Sequence, residues 1–200
     1  MKHIFTLLLV TITRFAGFSQ TELALGASMP KGDIKMKDVA GELVSLNDVK
    51  KPNGLLVMFS CNTCPYVVKN LSRTAEICQY AENKNIGIIL LNSNEARRQD
   101  GDSFADMQNY AKQQGYTWHY VMDSNHELAD AFGATRTPEC FLFDNTGKLL
   151  YHGAIDDSPA DINKVSRNHV KEAINEMIAG KDVSVKESRS VGCTIQRKKG

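Results

Sequence analysis

The chain has 200 residues, a formal net charge of +1 and 42% hydrophobic residues. This length and composition fit one soluble globular domain. The balanced charge gives no overall field that would attract nucleic acid or an anionic membrane, so a charge-driven binder of either kind is not expected. The function class therefore depends on motifs.

Residues 1–19 are predicted to be a cleaved signal peptide. Residues 1–3 form a short basic start, residues 4–12 are apolar, and small residues at 17 and 19 occupy the two positions that a signal peptidase reads. Arg14 interrupts the apolar stretch, whereas a membrane anchor needs about twenty uninterrupted apolar residues. We expect an exported protein, periplasmic or secreted, without a stable membrane anchor after cleavage; an unusual cytosolic N-terminus is the alternative.

The next part of the chain, up to residue 91, predicts one hairpin, two buried strands and one helix. The alternating stretches 33–37 and 42–45 predict an edge hairpin. The apolar runs 54–59 and 86–91 predict two buried strands. Between these runs, residues 65–83 carry apolar side chains at helical spacing, which predicts a helix.

A polar segment follows the second buried strand. Residues 92–101 are rich in charge and predict a loop, in which Arg97 and Arg98 fit solvated positions better than a binding patch. A helix is predicted over 103–114, capped by Ser103 or by the residue before it.

The last part of the chain predicts a strand over 118–122, a short helix over 125–132, an antiparallel hairpin of 139–144 with 149–152, and a final helix over 166–179. This order of elements predicts an α/β fold, a three-layer α/β/α sandwich with a mixed central sheet.

Cys61 and Cys64 are the most informative residues, because two thiols separated by two residues can form and break a disulfide. They follow a buried strand directly, and Pro65 marks the start of the next helix. The positive end of a helix stabilises a thiolate, so we expect Cys61 to be the activated nucleophile and Cys64 to resolve the mixed disulfide. A pair of ordinary core cysteines or half of a metal site is the alternative, which the position between strand and helix disfavours.

The stretch 59–67, together with 137–144, resembles the thioredoxin superfamily. More narrowly, the chain is similar to redoxin-domain proteins of the alkyl hydroperoxide reductase/thiol-specific antioxidant group, in the branch that keeps a Cys-x-x-Cys motif. The similarity covers roughly 25–180, and 151–157 and 191–195 also resemble stretches of that branch.

The resemblance implies a thioredoxin fold with an N-terminal β-hairpin extension in a domain spanning 20–180. It also implies that Pro138 is a cis-proline opposite the disulfide, which exposes the backbone of Thr137 so that a substrate chain can pair with it. A trans proline at the start of an edge strand is the alternative. The remaining residues, 181–200, are predicted to be a polar, loosely attached tail.

The chain departs from the thioredoxin pattern at two positions. Thioredoxins carry a buried acid six residues before the first cysteine, where this chain has Leu55, and a tryptophan where it has Ser60. Proton transfer must therefore use another group or water. Glu139 is a candidate because it follows Pro138, although a solvated carboxylate at a strand end is the alternative.

The patterns of two related families do not fit. Peroxiredoxins place a threonine and a proline at fixed positions before their cysteine, and neither Cys61 nor Cys64 has them. Arg136 is the only arginine near the predicted site and does not hold the position of the peroxiredoxin arginine. Glutaredoxins have a second cysteine where this chain has Val67. Cys61 therefore remains the predicted nucleophile.

Three further cysteines make the total five, an odd number that leaves at least one thiol without an intramolecular partner. Cys78 lies on the apolar face of a predicted helix and is expected to be inert. Cys140 should lie on a central strand, where it is a candidate for contact with the redox pair. Cys193 lies in the tail; we expect it to be exposed and to be a third redox partner, an intermolecular disulfide partner or a dispensable thiol.

These patterns favour an exported thiol:disulfide oxidoreductase. Reduced Cys61 would attack a disulfide in a client protein, and an upstream thiol donor would regenerate the pair. This chemistry needs no bound cofactor and no metal. The alternatives are a peroxiredoxin-like thiol peroxidase with an antioxidant role, in which Cys64 or Cys193 resolves a sulfenic acid on Cys61, and a Cu(I)-binding module.

Overall fold

A computed structural model of the chain describes residues 21–198. The predicted signal peptide lies outside the described residues. Within 21–198, no helix is both long and apolar enough to cross a membrane.

Strands and helices alternate along the described chain. The strands are β1 (Met36–Asp38), β2 (Leu43–Val44), β3 (Leu55–Ser60), β4 (Gly87–Asn92), β5 (His119–Met122), β6 (Arg136–Thr137), β7 (Glu139–Phe143), β8 (Leu149–Gly153) and β9 (Cys193–Thr194). The α-helices are α1 (Leu46–Val49), α2 (Pro65–Lys69), α3 (Leu71–Asn83), α4 (Phe104–Gln114), α5 (Glu127–Phe132) and α6 (His169–Ile178). Short 3₁₀ turns occupy Glu95–Arg97, Ser124–His126 and Ile162–Lys164.

Seven of these strands form one mixed sheet in the order β2-β1-β5-β4-β3-β7-β8. The three central strands β3, β4 and β5 are parallel, and β7 runs antiparallel to β3. The predicted N-terminal hairpin is present as β1 and β2, and it extends the main sheet because β1 also pairs with β5. The α/β sandwich with a mixed sheet is confirmed.

The sheet separates two apolar cores. Alternate residues of β3 point to opposite faces, so Leu56 and Met58 pack with α3, α4 and α6, while Val57 and Phe59 pack with α1 and α5. All six residues of β3 are buried, as expected for a central strand covered on both faces.

The predicted helix over 65–83 is broken into α2 and α3 at Asn70. This residue has φ −99° and ψ 5°, and its side-chain amide donates to the carbonyl of Tyr66 at 2.7 Å and to that of Pro159 at 3.1 Å. Asparagine side chains often compete with the backbone in this way. The break leaves α2 as a short helix directly after the two cysteines.

The C-terminal segment is docked on the domain, so the prediction of a loosely attached tail is wrong for its described part. Ile195 is 3% exposed and joins the core on the α1 and α5 face. The Arg197 guanidinium forms a 2.8 Å ion pair with Asp130. Upstream, the N–H of Ser188 donates to the carbonyl of His152 at 3.1 Å. Two buried apolar residues, Val183 and Ile195, and backbone pairing are thus enough to hold a mostly polar segment.

Candidate active site

The site lies where the central parallel strands end. Their carboxyl ends meet at one edge of the sheet, so Cys61 after β3 and Asn92 at the end of β4 are neighbours. The antiparallel strand β7 begins at the same edge, since Phe59 pairs with Glu139, and this brings Pro138 to the cysteines. The topology thereby assembles residues that are far apart in the chain.

Thr137 contacts both sulfurs of the Cys61–Cys64 motif. The Cys61 sulfur lies 3.5 Å from the Thr137 hydroxyl oxygen, and the Cys64 thiol donates to the Thr137 carbonyl at 3.2 Å. Both cysteines are free thiols, and they are only 1% and 2% exposed. The Thr137–Pro138 peptide bond is cis, as the thioredoxin resemblance predicted.

Cys64, not Cys61, is the N-cap residue of α2. Its backbone is extended (φ −74°, ψ 123°), and Pro65 occupies the first helical position. A residue before proline prefers this extended conformation. The helix therefore begins at Pro65 as expected, but its positive end faces Cys64 more directly than Cys61, so the predicted reason for activating Cys61 is incorrect.

A hydrogen bond between the two sulfurs controls their protonation. It raises the pKa of Cys61, with burial and the charge of Asp102 acting in the same direction. It lowers the pKa of Cys64 to about 4, although burial opposes this change. The reduced pair therefore loses its first proton readily and holds the second one tightly.

The remaining proton has two places to reside. When Cys61 holds it, the thiol donates to the Cys64 thiolate. When Cys64 holds it, the thiol donates to the Thr137 carbonyl, and the Thr137 hydroxyl can donate to Cys61. The second arrangement leaves Cys61 as the thiolate, and the two arrangements differ by the transfer of one proton from Cys61 to Cys64.

Replacing Cys61 tests this shared proton. We expect Cys61→Ala to raise the pKa of Cys64 from about 4, because alanine removes the donor to the thiolate. Cys61→Ser is the matched control: its hydroxyl still donates, so the pKa should stay lower than in Cys61→Ala. The ultraviolet absorbance of the thiolate, followed as pH falls, measures both values. Equal pKa values in the two variants would contradict the shared proton.

A buried carboxylate, Asp102, holds the turn between the cysteines. One of its oxygens accepts from the backbone N–H of Asn62 and from the side chain of Asn92, both at 2.8 Å. The other accepts from the Thr63 hydroxyl at 3.2 Å and from Asn94 at 3.0 Å. Sequence reasoning did not find this role; the only signal was a polar residue at the end of a predicted loop.

The Tyr120 hydroxyl extends the same network. It donates to the Asn62 side-chain oxygen at 2.8 Å and accepts from Asn92 at 3.0 Å. Tyr120 is fully buried on β5, so it fixes Asn62 from beneath. The two residues between the cysteines are therefore held by the protein interior.

The segment 92–101 is not the solvated loop that was predicted, because Asn92, Ser93 and Asn94 are buried and Arg98 turns inward. Arg98 donates to the carbonyls of Asn92 at 2.7 Å, Asp102 at 3.0 Å and Asp123 at 3.3 Å, and its side chain is 14% exposed. Irregular backbone at a buried sheet edge needs such donors, which explains the error. Arg97 is solvated as predicted, with its side chain 40% exposed.

The cap of α4 is resolved in favour of Ser103. Its hydroxyl accepts from the N–H of Asp106, whose carboxylate in turn accepts from the N–H of Ser103, forming a capping box. This leaves the Asp102 side chain free to turn inward to the cysteine motif.

Glu139 is buried, so the alternative of a solvated strand-end carboxylate is wrong. It is 3% exposed, and one carboxylate oxygen accepts from the N–H groups of Thr135 at 2.8 Å and Arg136 at 3.0 Å. Burial raises the pKa of Glu139. Neither sulfur of the pair is a hydrogen-bond partner of Glu139, so its predicted part in proton transfer remains a hypothesis. The Arg136 guanidinium donates to the Thr194 hydroxyl at 2.8 Å.

The other three cysteines separate into two groups. Cys78 and Cys140 lie together in the core beneath α3, α4 and α6, and burial raises the pKa of both. The predicted contact of Cys140 with the redox pair is wrong, because Cys140 pairs with Met58, whose side chain faces that core. Cys193 is half-buried and packs against Cys61 and Cys64.

Comparison with known proteins agrees with this geometry. The Redoxin family model matches residues 24–167. A relative named thiol-disulfide oxidoreductase ResA, from Geobacillus thermodenitrificans (strain NG80-2), is 23% identical over 154 residues, which cover 74% of this chain and 83% of the relative.

Two solved structures are similar over most of their length. An uncharacterized conserved protein from Geobacillus kaustophilus is 31% identical with a TM-score of 0.82, covering 88% of this chain and 94% of that one. A hypothetical protein from Sinorhizobium meliloti 1021 is 30% identical with a TM-score of 0.81, covering 90% and 98%. Because the family model matches well over half of the chain, this protein belongs to the Redoxin family and has a thioredoxin-like fold.

Proposed function

We propose that this protein exchanges disulfides with client proteins through a reversible Cys61–Cys64 disulfide. It is a thioredoxin-like oxidoreductase by family, and its ResA relatives are named for thiol-disulfide chemistry. The observation that carries the proposal is the contact of both free sulfurs with Thr137, directly before cis-Pro138. This arrangement puts two thiols and their shared proton beside the backbone of the cis-proline turn.

The reductive cycle follows from the two proton positions. The proton of the pair moves to Cys64, and the Cys61 thiolate attacks one sulfur of the client disulfide, so that the other client sulfur leaves as a thiolate. That thiolate takes up the proton of Cys64. The Cys64 thiolate then attacks Cys61, which closes the Cys61–Cys64 disulfide and releases the second client sulfur. An upstream thiol donor returns two electrons to the pair.

The surrounding network supports this cycle by holding the motif still. Asp102 and Tyr120 fix the turn residue Asn62, so the turn that carries the two cysteines stays in place while their sulfurs join and separate. We also propose export to an oxidising compartment, on the basis of the basic and apolar pattern of residues 1–19.

Activity assays on the purified protein test the proposal against peroxidase activity. We expect thiol-driven reduction of insulin disulfides and slow consumption of hydroperoxide, because the chain lacks the peroxiredoxin spacing and the Arg136 guanidinium is engaged by Thr194. Rapid hydroperoxide consumption without insulin reduction would contradict disulfide exchange and support a thiol peroxidase.

A further inference from the structure

The strand β9 covers the sulfurs by pairing with β6. Cys193 lies opposite Thr137 and Thr194 lies opposite Arg136 in this antiparallel pair. Because Thr137 contacts both sulfurs, any extended segment that pairs with it must cross Cys61 and Cys64. This is the position that a client strand would need, and the protein's own C-terminal segment occupies it.

The fit of this segment is close at Gly192. A Cβ atom added there would lie 2.0 Å from the Thr137 carbonyl oxygen and 2.7 Å from its carbon. Such distances are well inside van der Waals contact, so any side chain would push the strand off β6. The residue before the cysteine must therefore be glycine for the strand to sit here.

The C-terminal segment is hydrogen-bonded to the domain on both sides of the point where it crosses the sulfurs. Ser188 pairs with His152 upstream, and the N–H of Ile195 donates to the Thr135 carbonyl at 3.0 Å downstream. A polar cavity of ≈ 630 Å³, lined by Glu139, His152 and residues 187–192 of the segment, lies between these points. The part of the segment that crosses the sulfurs is thus held by its two ends and by the pairing of β9 with β6.

The contact with the redox pair is made by a thiol. Cys193 packs on the cluster formed by Cys61, Cys64 and Val67, and its thiol helps to lower the pKa of Cys64. All five cysteines lie in the described part of the chain, and Cys193 alone among them is not buried. The thiol of Cys193 therefore lies between the buried Cys61–Cys64 pair and the solvent.

We propose that the C-terminal segment is an intramolecular substrate of the redox pair. Cys193 forms a disulfide with Cys64 of the oxidised pair, and this bond holds the segment over the site. This inference rests on the proposed disulfide exchange and adds its regulation. Oxidation closes the site covalently, and reduction at the half-exposed Cys193 frees the segment so that a client can displace it. A displacing client strand meets the same steric limit, so the geometry favours clients with glycine before the reacting cysteine.

The chemistry is one thiol–disulfide exchange and needs no further oxidant. The Cys193 thiolate attacks the Cys64 sulfur of the Cys61–Cys64 disulfide. The Cys64–Cys193 bond forms, the Cys61–Cys64 bond breaks, and Cys61 leaves as a thiolate that takes the proton given up by Cys193. The number of disulfides stays at one, and Cys61 becomes a free thiol.

Disulfide mapping of the full chain tests the inference. After oxidation with oxidised glutathione and digestion without reductant, mass spectrometry should find a peptide joining Cys64 to Cys193. This peptide should become the main product in Cys61→Ser, where the competing pair is absent. Cys78→Ala is the matched control, since it removes a thiol that takes no part. Absence of the peptide from both wild type and Cys61→Ser overturns the proposal.

A second variant tests the cover without relying on oxidation. Gly192→Val should displace the strand and make alkylation of Cys64 in the reduced protein about tenfold faster or more, because exposure limits the reaction of a buried thiolate. Val191→Ala is the control in the same segment, and an unchanged rate in Gly192→Val would overturn the proposal. If the protein reduces insulin but no Cys64–Cys193 peptide forms, the redox-driven closure is contradicted and the proposed disulfide exchange stands. The peptide without any reduction of protein disulfides contradicts the proposed function and leaves the redox-driven closure standing.

Discussion

Cys64→Ser is expected to lower the rate of insulin reduction by about 10³-fold or more and to leave client proteins attached to Cys61. The serine hydroxyl cannot attack the mixed disulfide, so the reaction stops after its first step. It also cannot form the proposed Cys64–Cys193 disulfide. Non-reducing electrophoresis of the variant after mixing with a disulfide-bonded client measures the trapped species.

The matched variants separate the roles of the thiols. Cys61→Ser should trap no client through residue 61. Cys78→Ala should keep wild-type activity, because Cys78 lies in the core with α3, α4 and α6 and not in the cluster of Cys61 and Cys64. An empty trap in Cys64→Ser, or client attached to Cys64 in Cys61→Ser at wild-type rates, would contradict Cys61 as the attacking residue.

Asp102→Ala is expected to lower the free energy of unfolding by about 2–4 kcal/mol, because four hydrogen-bond donors lose their acceptor. Two of these donors, on Asn92 and Asn94, are almost completely buried and cannot turn to water. Asp102→Asn keeps one acceptor oxygen and should lose roughly half as much. Urea denaturation of the reduced proteins gives both values, and equal stability of Asp102→Ala and wild type would contradict the network.

A titration separates the electrostatic effect of Asp102 from its structural role. The charge of Asp102 is one cause of the raised pKa of Cys61, after the hydrogen bond that Cys61 donates to Cys64 and after burial. Asp102→Asn removes this charge with little change in shape, so the second thiolate of the pair should form at lower pH than in wild type. Thiolate absorbance against pH measures the shift, and a shift to higher pH would be inconsistent with this account.

Local patterns predicted most of the elements. The continuous apolar run before Cys61 predicts a strand buried on both faces, and β3 is that strand. Capping residues at Ser103 and the proline at 65 marked helix starts that the structure shows. The break at Asn70 was missed because its cause is a hydrogen bond to Pro159, a residue far along the chain.

The site was predicted in its chemistry but not in its surroundings. The Cys-x-x-Cys spacing and the resemblance at Thr137 and Pro138 indicated two thiols beside a cis-proline, and the structure places them together. The carboxylate that holds the motif and the arginine beneath it belong to a segment that the sequence described only as polar. Polar composition does not distinguish a solvated loop from a buried network, because both use the same residues.

The sequence by itself determined the two thiols, the strand before them and the helix start after them, since these depend on neighbouring residues. Only the tertiary structure decided that Asp102 holds the turn and that Cys193 crosses the sulfurs. These two features arise from contacts between distant segments, β6 with β9 and the ends of parallel strands, and such contacts leave no periodic signal in the chain. The sequence therefore predicted Cys193 to be a thiol in a loose tail, whereas in the structure it packs against Cys64.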